Sequence, residues 1–317
     1  RVAQSTSRSL KPKRFEDIVA LVALIRPGPL GAGMHNEFAD RANNRKEIEY
    51  LHNDLESILN ETYGVILYQE QVMQIAEKIA GFNLQEADNL RVAMGKKIPK
   101  VMEEQRKKFT DGAVSNNYSE QFAIELFDQI AYFAGYGFNK SHSVPYALLA
   151  YQTAYLKANY PAEYIAACLT AVKRDKDRTA IFLSEARDMG VKVSTPDINL
   201  SSSDFTVNDN EILFGLSAVR NVGDITADKI VLERESNGHF ESIEDFLSRI
   251  DSRSLNKRGV EALIQGGGLD KFGLTRKGMF DSAIELIENA KELKANKENN
   301  QGSLFEMEDS NSTHINI

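Results

Sequence analysis

Apolar residues recur at three- and four-residue intervals along most of the chain, which is the spacing of helices with one buried face. That spacing predicts helices over residues 15–24, 48–59, 70–80, 84–94, 101–109, 120–133, 144–159 and 162–174. Residues 63–68 are β-branched and aromatic, which predicts a short strand or buried turn. The first fourteen residues are polar and basic and read as an extended entry. Arg26-Pro27-Gly28-Pro29 ends the first helix, and Gly95 to Pro99 joins two later ones. The texture changes over residues 175–212, where Thr195-Pro196-Asp197, Ser201 to Asp204 and the turn Asn208-Asp209-Asn210 replace helical spacing. The expected organisation is a first helical unit over 1–174 and a joint of short extended segments over 175–212. A smaller helical unit over 213–275, a helix over 276–297 and a disordered tail over 298–317 follow.

Composition supports this outline. The chain has 317 residues, 42% of them hydrophobic, with seven prolines and no tryptophan. This predicts a mainly α fold with two folded units. Cys168 is the single cysteine and sits in an apolar run, where it reads as a small buried hydrophobe, so disulfides within the chain and cysteine metal sites are excluded. No stretch reaches the ~18 apolar residues of a membrane span, which predicts a cytoplasmic protein without a membrane partner. The start at Arg1 reads as a cut. A net charge of −8 excludes a uniformly basic polyanion binder, so any such contact must come from local patches. One patch runs from residue 91 to 108, with seven Lys/Arg against two Glu; residues 298–317 hold four acids and no Lys or Arg.

In the second unit, Val219-Arg220-Asn221-Val222-Gly223 precedes the helical run Asp224 to Ile230 and resembles a helix-hairpin-helix DNA-binding element. Such an element turns tightly and aims backbone N–H groups at a phosphate from a helix start. The family prefers glycine where this chain has Asn221, the residue next most tolerant of left-handed backbone. Asn221, Val222 and Gly223 are the expected DNA contacts. A looser second hairpin begins at Ser242 and ends at Gly266-Gly267-Gly268, with Lys257 and Arg258 as added DNA-facing charge.

The first unit holds cations in two places. Arg91 lies near a helix end, with Lys96 and Lys97 in the following loop, and Phe138-Asn139-Lys140-Ser141-His142-Ser143 gathers several donors on a loop before a helix. Clustered cations suit a triphosphate, although no Walker loop is present. Together with Arg26 to Leu30 and Tyr68 to Met73, and with Tyr160 to Tyr164 following, these motifs resemble the fingers region of the C-family replicative polymerases, the bacterial DNA polymerase III alpha subunits.

The resemblance implies template-directed addition of deoxynucleotides, with Arg91, Lys96, Lys97, Lys140 and His142 contacting deoxynucleoside triphosphates. The family often has a second arginine where this chain has Val92. It also implies Mg2+ bound by palm carboxylates that this sequence does not contain, so no metal and no catalytic residue is expected here and the palm is expected upstream. Asp175 and Asp177 read as surface charge in a polar turn.

In the tail, Gln301-Gly302-Ser303-Leu304-Phe305 resembles the family's clamp-binding peptide, in which Gln301 meets a polar rim while Leu304 and Phe305 fill an apolar pocket. The implied partners are double-stranded and primer-template DNA, the sliding clamp and other replicase subunits. The alternative is a non-catalytic DNA-binding adaptor attached to the clamp, which leaves Lys140 and His142 without a purpose.

Overall fold

The computed structural model describes residues 2–96, 98–134, 137–251 and 253–298. Among them stand seventeen α-helices and one two-stranded antiparallel sheet, as a mainly α fold requires. The expected tail falls almost wholly outside the described residues. The chain divides into two compact units, Arg1–Gln152 and Thr153–Ile317.

The first unit is built on two apolar cores. One gathers Ile75, Ile79, Leu90, Phe109, Leu126 and Phe127 from the helices Gln69–Ala80, Leu84–Lys96, Pro99–Ser115 and Glu120–Ala134. Gly112 lets two of these helices touch, since a Cβ there would stand 2.2 Å from the Ala80 carbonyl oxygen. The other core joins Leu10, Val19, Leu24, Phe38, Leu67 and Tyr68. It explains why the entry is helical rather than extended: Thr6 and Leu10 of the helix Val2–Leu10 are buried, and burial of that face outweighs the weak propensity of a Ser/Thr-rich stretch. Pro27 does more than end the helix Phe15–Leu24, because it opens a one-turn helix, Pro27–Gly31, from its first position. The helix expected over 48–59 shrinks to a 3-10 turn, Asn53–Leu55, and Glu56–Leu59. His52 sets that start by accepting the Asp54 N–H on its side chain.

The second unit begins upstream of the expected joint. Residues 176–188 form a helix, Lys176–Asp188, and Asp175 is its N-cap, accepting the Arg178 N–H at 3.1 Å, so Asp175 belongs to a cap and not a turn. The helix Pro161–Val172 joins this region because Ile165 and Leu169 pack with Ala186, Phe205 and Ile212 in a shared core. Cys168 is half-buried there rather than buried. The sheet is a hairpin of β1 (Thr206–Asn208) and β2 (Glu211–Leu213), in which Val207 pairs with Ile212. Asp209 and Asn210 both take positive φ, the geometry of a two-residue hairpin turn. A second core unites Leu216, Val222, Ile230, Phe246, Leu263 and Leu286, so the helix Ala283–Glu298 packs with the hairpin helices at its start.

Candidate functional site

The turn at residues 219–223 takes its shape from two buried anchors and one left-handed residue. Val219 and Val222 are buried in the core, the Val222 N–H donates to the Val219 carbonyl at 3.1 Å, and Asn221 has φ +63°. Asn221 therefore occupies the conformation for which glycine is usually chosen. Val222 departs from expectation, because its N–H is taken within the turn. The N–H groups of Asn221 and Gly223 have no backbone partner among the described residues. Gly223 stands at the start of the helix Asp224–Asn237, which no side chain caps, so its leading amides and the positive end of its dipole face outward.

The second hairpin adjoins the first. Asn256 caps the helix Lys257–Gly266 by accepting the Gly259 N–H at 3.1 Å. Gly259 packs so closely that a Cβ would meet the Asn221 carbonyl at 3.2 Å. Thr226 Oγ1 donates to the Ser254 carbonyl at 2.7 Å and Lys229 Nζ donates to Ser254 Oγ at 2.7 Å, tying the two together. The structure thus brings Asn221, Gly223, Lys257 and Arg258 into one region. Lys257 reaches Glu261 at 3.5 Å, whereas Arg258 and Arg220 have no ion pair among the described residues.

One acid stands at the helix start. Asp224 Oδ1 accepts from Lys173 Nζ at 2.5 Å, and Arg174 also pairs with it. These two hydrogen bonds, Lys173 first, hold its carboxyl well below the usual range, down to about 2. Lys173 also bonds Asp204 at 2.5 Å and Ser217 Oγ at 2.9 Å.

In the first unit, the motifs at residues 68–70 and 138–143 meet. Phe138 N–H donates to the Leu67 carbonyl and Gln69 N–H donates to the Phe138 carbonyl, at 3.1 and 3.0 Å. The helix Lys140–Asn159 begins earlier than the spacing suggested, because Asn139 Oδ1 accepts the His142 N–H at 2.8 Å and Glu70 accepts the Lys140 N–H at 3.0 Å. Lys140 and His142 therefore lie in a helical first turn, not on a loop, and Pro145 lies inside the helix. Ser143 is structural, buried and donating to the Val19 carbonyl at 2.6 Å.

Lys140 Nζ is not a free cation. Glu61 accepts from it through both oxygens, at 2.8 and 2.6 Å, and the ammonium stands 5.6 Å from the centre of the Tyr68 ring. Burial, then the charges of Glu61 and Glu70, push the Tyr68 phenol up. The His142 ring lies between Phe138 and Tyr146, with centroids 5.6 and 4.8 Å away, and the Arg26 guanidinium stands 4.4 Å from the Phe138 ring centre. Burial pulls the Arg26 pKa down. Glu61, Tyr68, Glu70 and Arg26 thus belong to this cluster. Three of the four lie in the motifs that carried the resemblance, so the signal was present without a role attached.

Arg91 and Lys96 are placed differently, on the helix Leu84–Lys96, with Arg91 Nε donating to Asp88 at 2.8 Å and Lys96 exposed at the helix end. No ion pair or hydrogen bond links them to the Lys140 cluster among the described residues. Lys97, Gln301, Leu304 and Phe305 lie outside the described residues.

A family model described as the bacterial DNA polymerase III alpha subunit finger domain matches residues 1–117, and a helix-hairpin-helix motif model matches residues 190–279. DNA polymerase III subunit alpha of Campylobacter jejuni is 45% identical over 306 residues, covering 95% of this chain and 25% of the relative. The subunit of the same name from Mycobacterium tuberculosis is 45% identical over 295 residues, 91% of this chain and 25% of its own length. That of Thermus aquaticus is 47% identical over 272 residues, 85% and 22%. The chain spans about a quarter of the length of the curated relatives it matches.

Proposed function

The chain belongs to the bacterial DNA polymerase III alpha subunit family, and on that premise we propose that it supplies a DNA-directed DNA polymerase with its grip on DNA and nucleotide. The hairpin unit holds duplex and primer-template DNA by its backbone. Asn221 and Gly223 present amides to a phosphate, while Arg220, Lys257 and Arg258 neutralise its neighbours. Such contacts fix position without reading sequence, as a replicative enzyme requires. The observation that carries this reading is the left-handed Asn221 turn leading into an uncapped helix, with the second hairpin packed beside it.

In the first unit, Lys140 and His142 receive the triphosphate of an incoming deoxynucleotide. The Lys140 pair with Glu61 keeps the ammonium in position until phosphate oxygens take the place of the carboxylate. Arg91 and Lys96 add charge from a separate helix, and Lys97 joins them on the strength of the family resemblance. Mg2+ held by the carboxylates that the resemblance implies would supply charge to stabilise the leaving pyrophosphate, and no residue of this chain is assigned to hold it. Gln301, Leu304 and Phe305 tether the chain to the sliding clamp, so that each rebinding to DNA occurs at high effective concentration.

Gly223 offers a clean test. Its φ is −84° and a Cβ there meets nothing within 4 Å, so Gly223→Val meets no backbone strain and no Cβ clash while occupying the phosphate's place. Anisotropy with a fluorescent duplex should show roughly a tenfold or greater loss of affinity, about 1.4 kcal/mol, with a stability loss of no more than about 1 kcal/mol from the poorer N-cap. Unchanged affinity refutes the hairpin grip. The tether is checked by pull-down on the sliding clamp, which the double change Leu304→Ala, Phe305→Ala should abolish without altering duplex binding.

A further inference from the structure

The second unit contains a cleft of about 850 Å3 beside the hairpin turn; the DNA contacts above use Arg220, Asn221 and Arg258 of its lining and leave its floor and its far wall unused. Its floor is apolar, formed by Val191, Val193, Pro196, Phe214, Val219 and Ala262. Its volume lies within the range of pockets that bury a compact ligand.

Two further features face this cleft. The first is a strand edge. Val193 bridges Ile212 in parallel: Ser194 N–H donates to the Ile212 carbonyl and Ile212 N–H donates to the Lys192 carbonyl, both at 2.9 Å. Backbone groups alternate in direction along a strand, so the Val193 N–H and carbonyl point away from Ile212, and neither has a partner among the described residues. Because β1 covers the other side of Ile212, residues 192–194 are the outer edge of a three-segment patch. The second is charge. Arg187, Arg220 and Arg258 line the cleft with no ion pair or side-chain hydrogen bond among the described residues. The other charges in the lining are matched, Lys192 by Glu211 at 2.9 Å and Glu261 by Lys257 at 3.5 Å.

We propose that this cleft binds an extended acidic peptide segment of a partner protein. The segment adds a strand along Val193, drops alternate apolar side chains onto the floor, and meets with carboxylates Arg187 and, in competition with duplex DNA, Arg220 and Arg258. Strand addition takes affinity from main-chain hydrogen bonds and selectivity from pockets for alternate side chains. Single-stranded DNA fits less well. Its bases stack on aromatic faces, and the lining offers one ring, Phe214, which already packs at 62° against Phe205 with centroids 4.7 Å apart.

The test uses the whole chain and a fluorescein-labelled heptapeptide alternating Glu with Val and Leu. Its comparators are the same peptide with Lys in place of Glu, the acidic peptide N-methylated at alternate residues, and a labelled oligothymidylate. The acidic peptide should bind, the Lys peptide should not, and N-methylation should weaken binding at least tenfold by removing strand donors. Ala262→Trp fills the floor and Arg187→Glu reverses the rim on an exposed helix end; each should cost the acidic peptide at least tenfold. Arg187→Glu keeps the proposal testable if the bulkier change disturbs folding. Equal affinity for acidic and Lys peptides, indifference to N-methylation or to Arg187→Glu, or oligothymidylate losing as much affinity as the acidic peptide on Ala262→Trp would each overturn it.

Discussion

The cations of the two units are held in different ways. In the first unit, Lys140 is closed by Glu61, Arg91 by Asp88, and Arg26 lies over the Phe138 ring. In the second, Arg187, Arg220 and Arg258 have no such partners among the described residues, and the proposed phosphate contact rests on backbone shape as much as on charge. A lysine or arginine in a sequence marks where charge exists, but its partner decides whether a ligand meets that charge at once or must first displace a carboxylate. On the function proposed above, the hairpin would meet a phosphate directly, while the Lys140 cluster would first have to exchange its carboxylate.

The sharpest way to break the comparison is to remove the backbone shape. A β-branched residue at φ +63° costs about 1–2 kcal/mol. Asn221→Val should therefore lower stability by that amount and weaken duplex binding, while Asn221→Gly preserves both. Urea denaturation followed in parallel with anisotropy checks it. If Asn221→Val binds duplex as well as the unaltered chain, the turn does not hold phosphate.

Much of this difference was legible in the residues, and the reasons differ by element. Helices at 15–24 and 120–133 follow directly from their apolar spacing, and Asn221 could be read as left-handed because few residues tolerate that conformation. The helix Val2–Leu10 escaped notice because its buried face is Thr6 and Leu10 alone, which is too sparse for a periodic signal. The start of Lys140–Asn159 was hidden because its first amide is capped by Glu70, seventy positions away. Glu61 was missed for the same reason, since a partner brought by tertiary packing leaves no local pattern. Of the unpaired arginines around the cleft, Arg258 was legible as DNA-facing charge, while Arg187 and Arg220 carried no signal until the geometry grouped them.

Paired and unpaired cations should also respond differently to removal. Arg258→Met should leave stability unchanged and reduce the dependence of duplex binding on salt by about 0.9 in log–log slope, the signature of one lost phosphate contact. Lys140→Met should leave duplex binding alone and cost stability roughly 0.5–1 kcal/mol, since the pair is a third exposed on each side. In the full polymerase it should raise the nucleotide concentration needed for half-maximal rate. A salt slope unaltered by Arg258→Met, or a nucleotide requirement unaltered by Lys140→Met, would erase the distinction drawn between them.

The smallest expected effect concerns the one acid at the hairpin's helix start. Asp224 has a carboxyl pKa held down to about 2 by Lys173 and Arg174, below the ~3.9 of an unfolded chain. A depressed carboxyl contributes its stability fully above the unfolded value and loses it as pH falls toward the folded one. The stability gap between the unaltered chain and Asp224→Asn should therefore be constant from neutral pH down to about 5, narrow between about 4 and 2, and vanish below that. Urea midpoints taken across this range measure it. The pairing also explains how an acid can stand where a phosphate is expected: its charge is offset by two cations, and it lies at the helix end where the dipole favours negative charge. A gap that persists unchanged at pH 2 would mean that Asp224 acts through packing, and the helix start would then present the phosphate with an acid whose charge the cations do not offset.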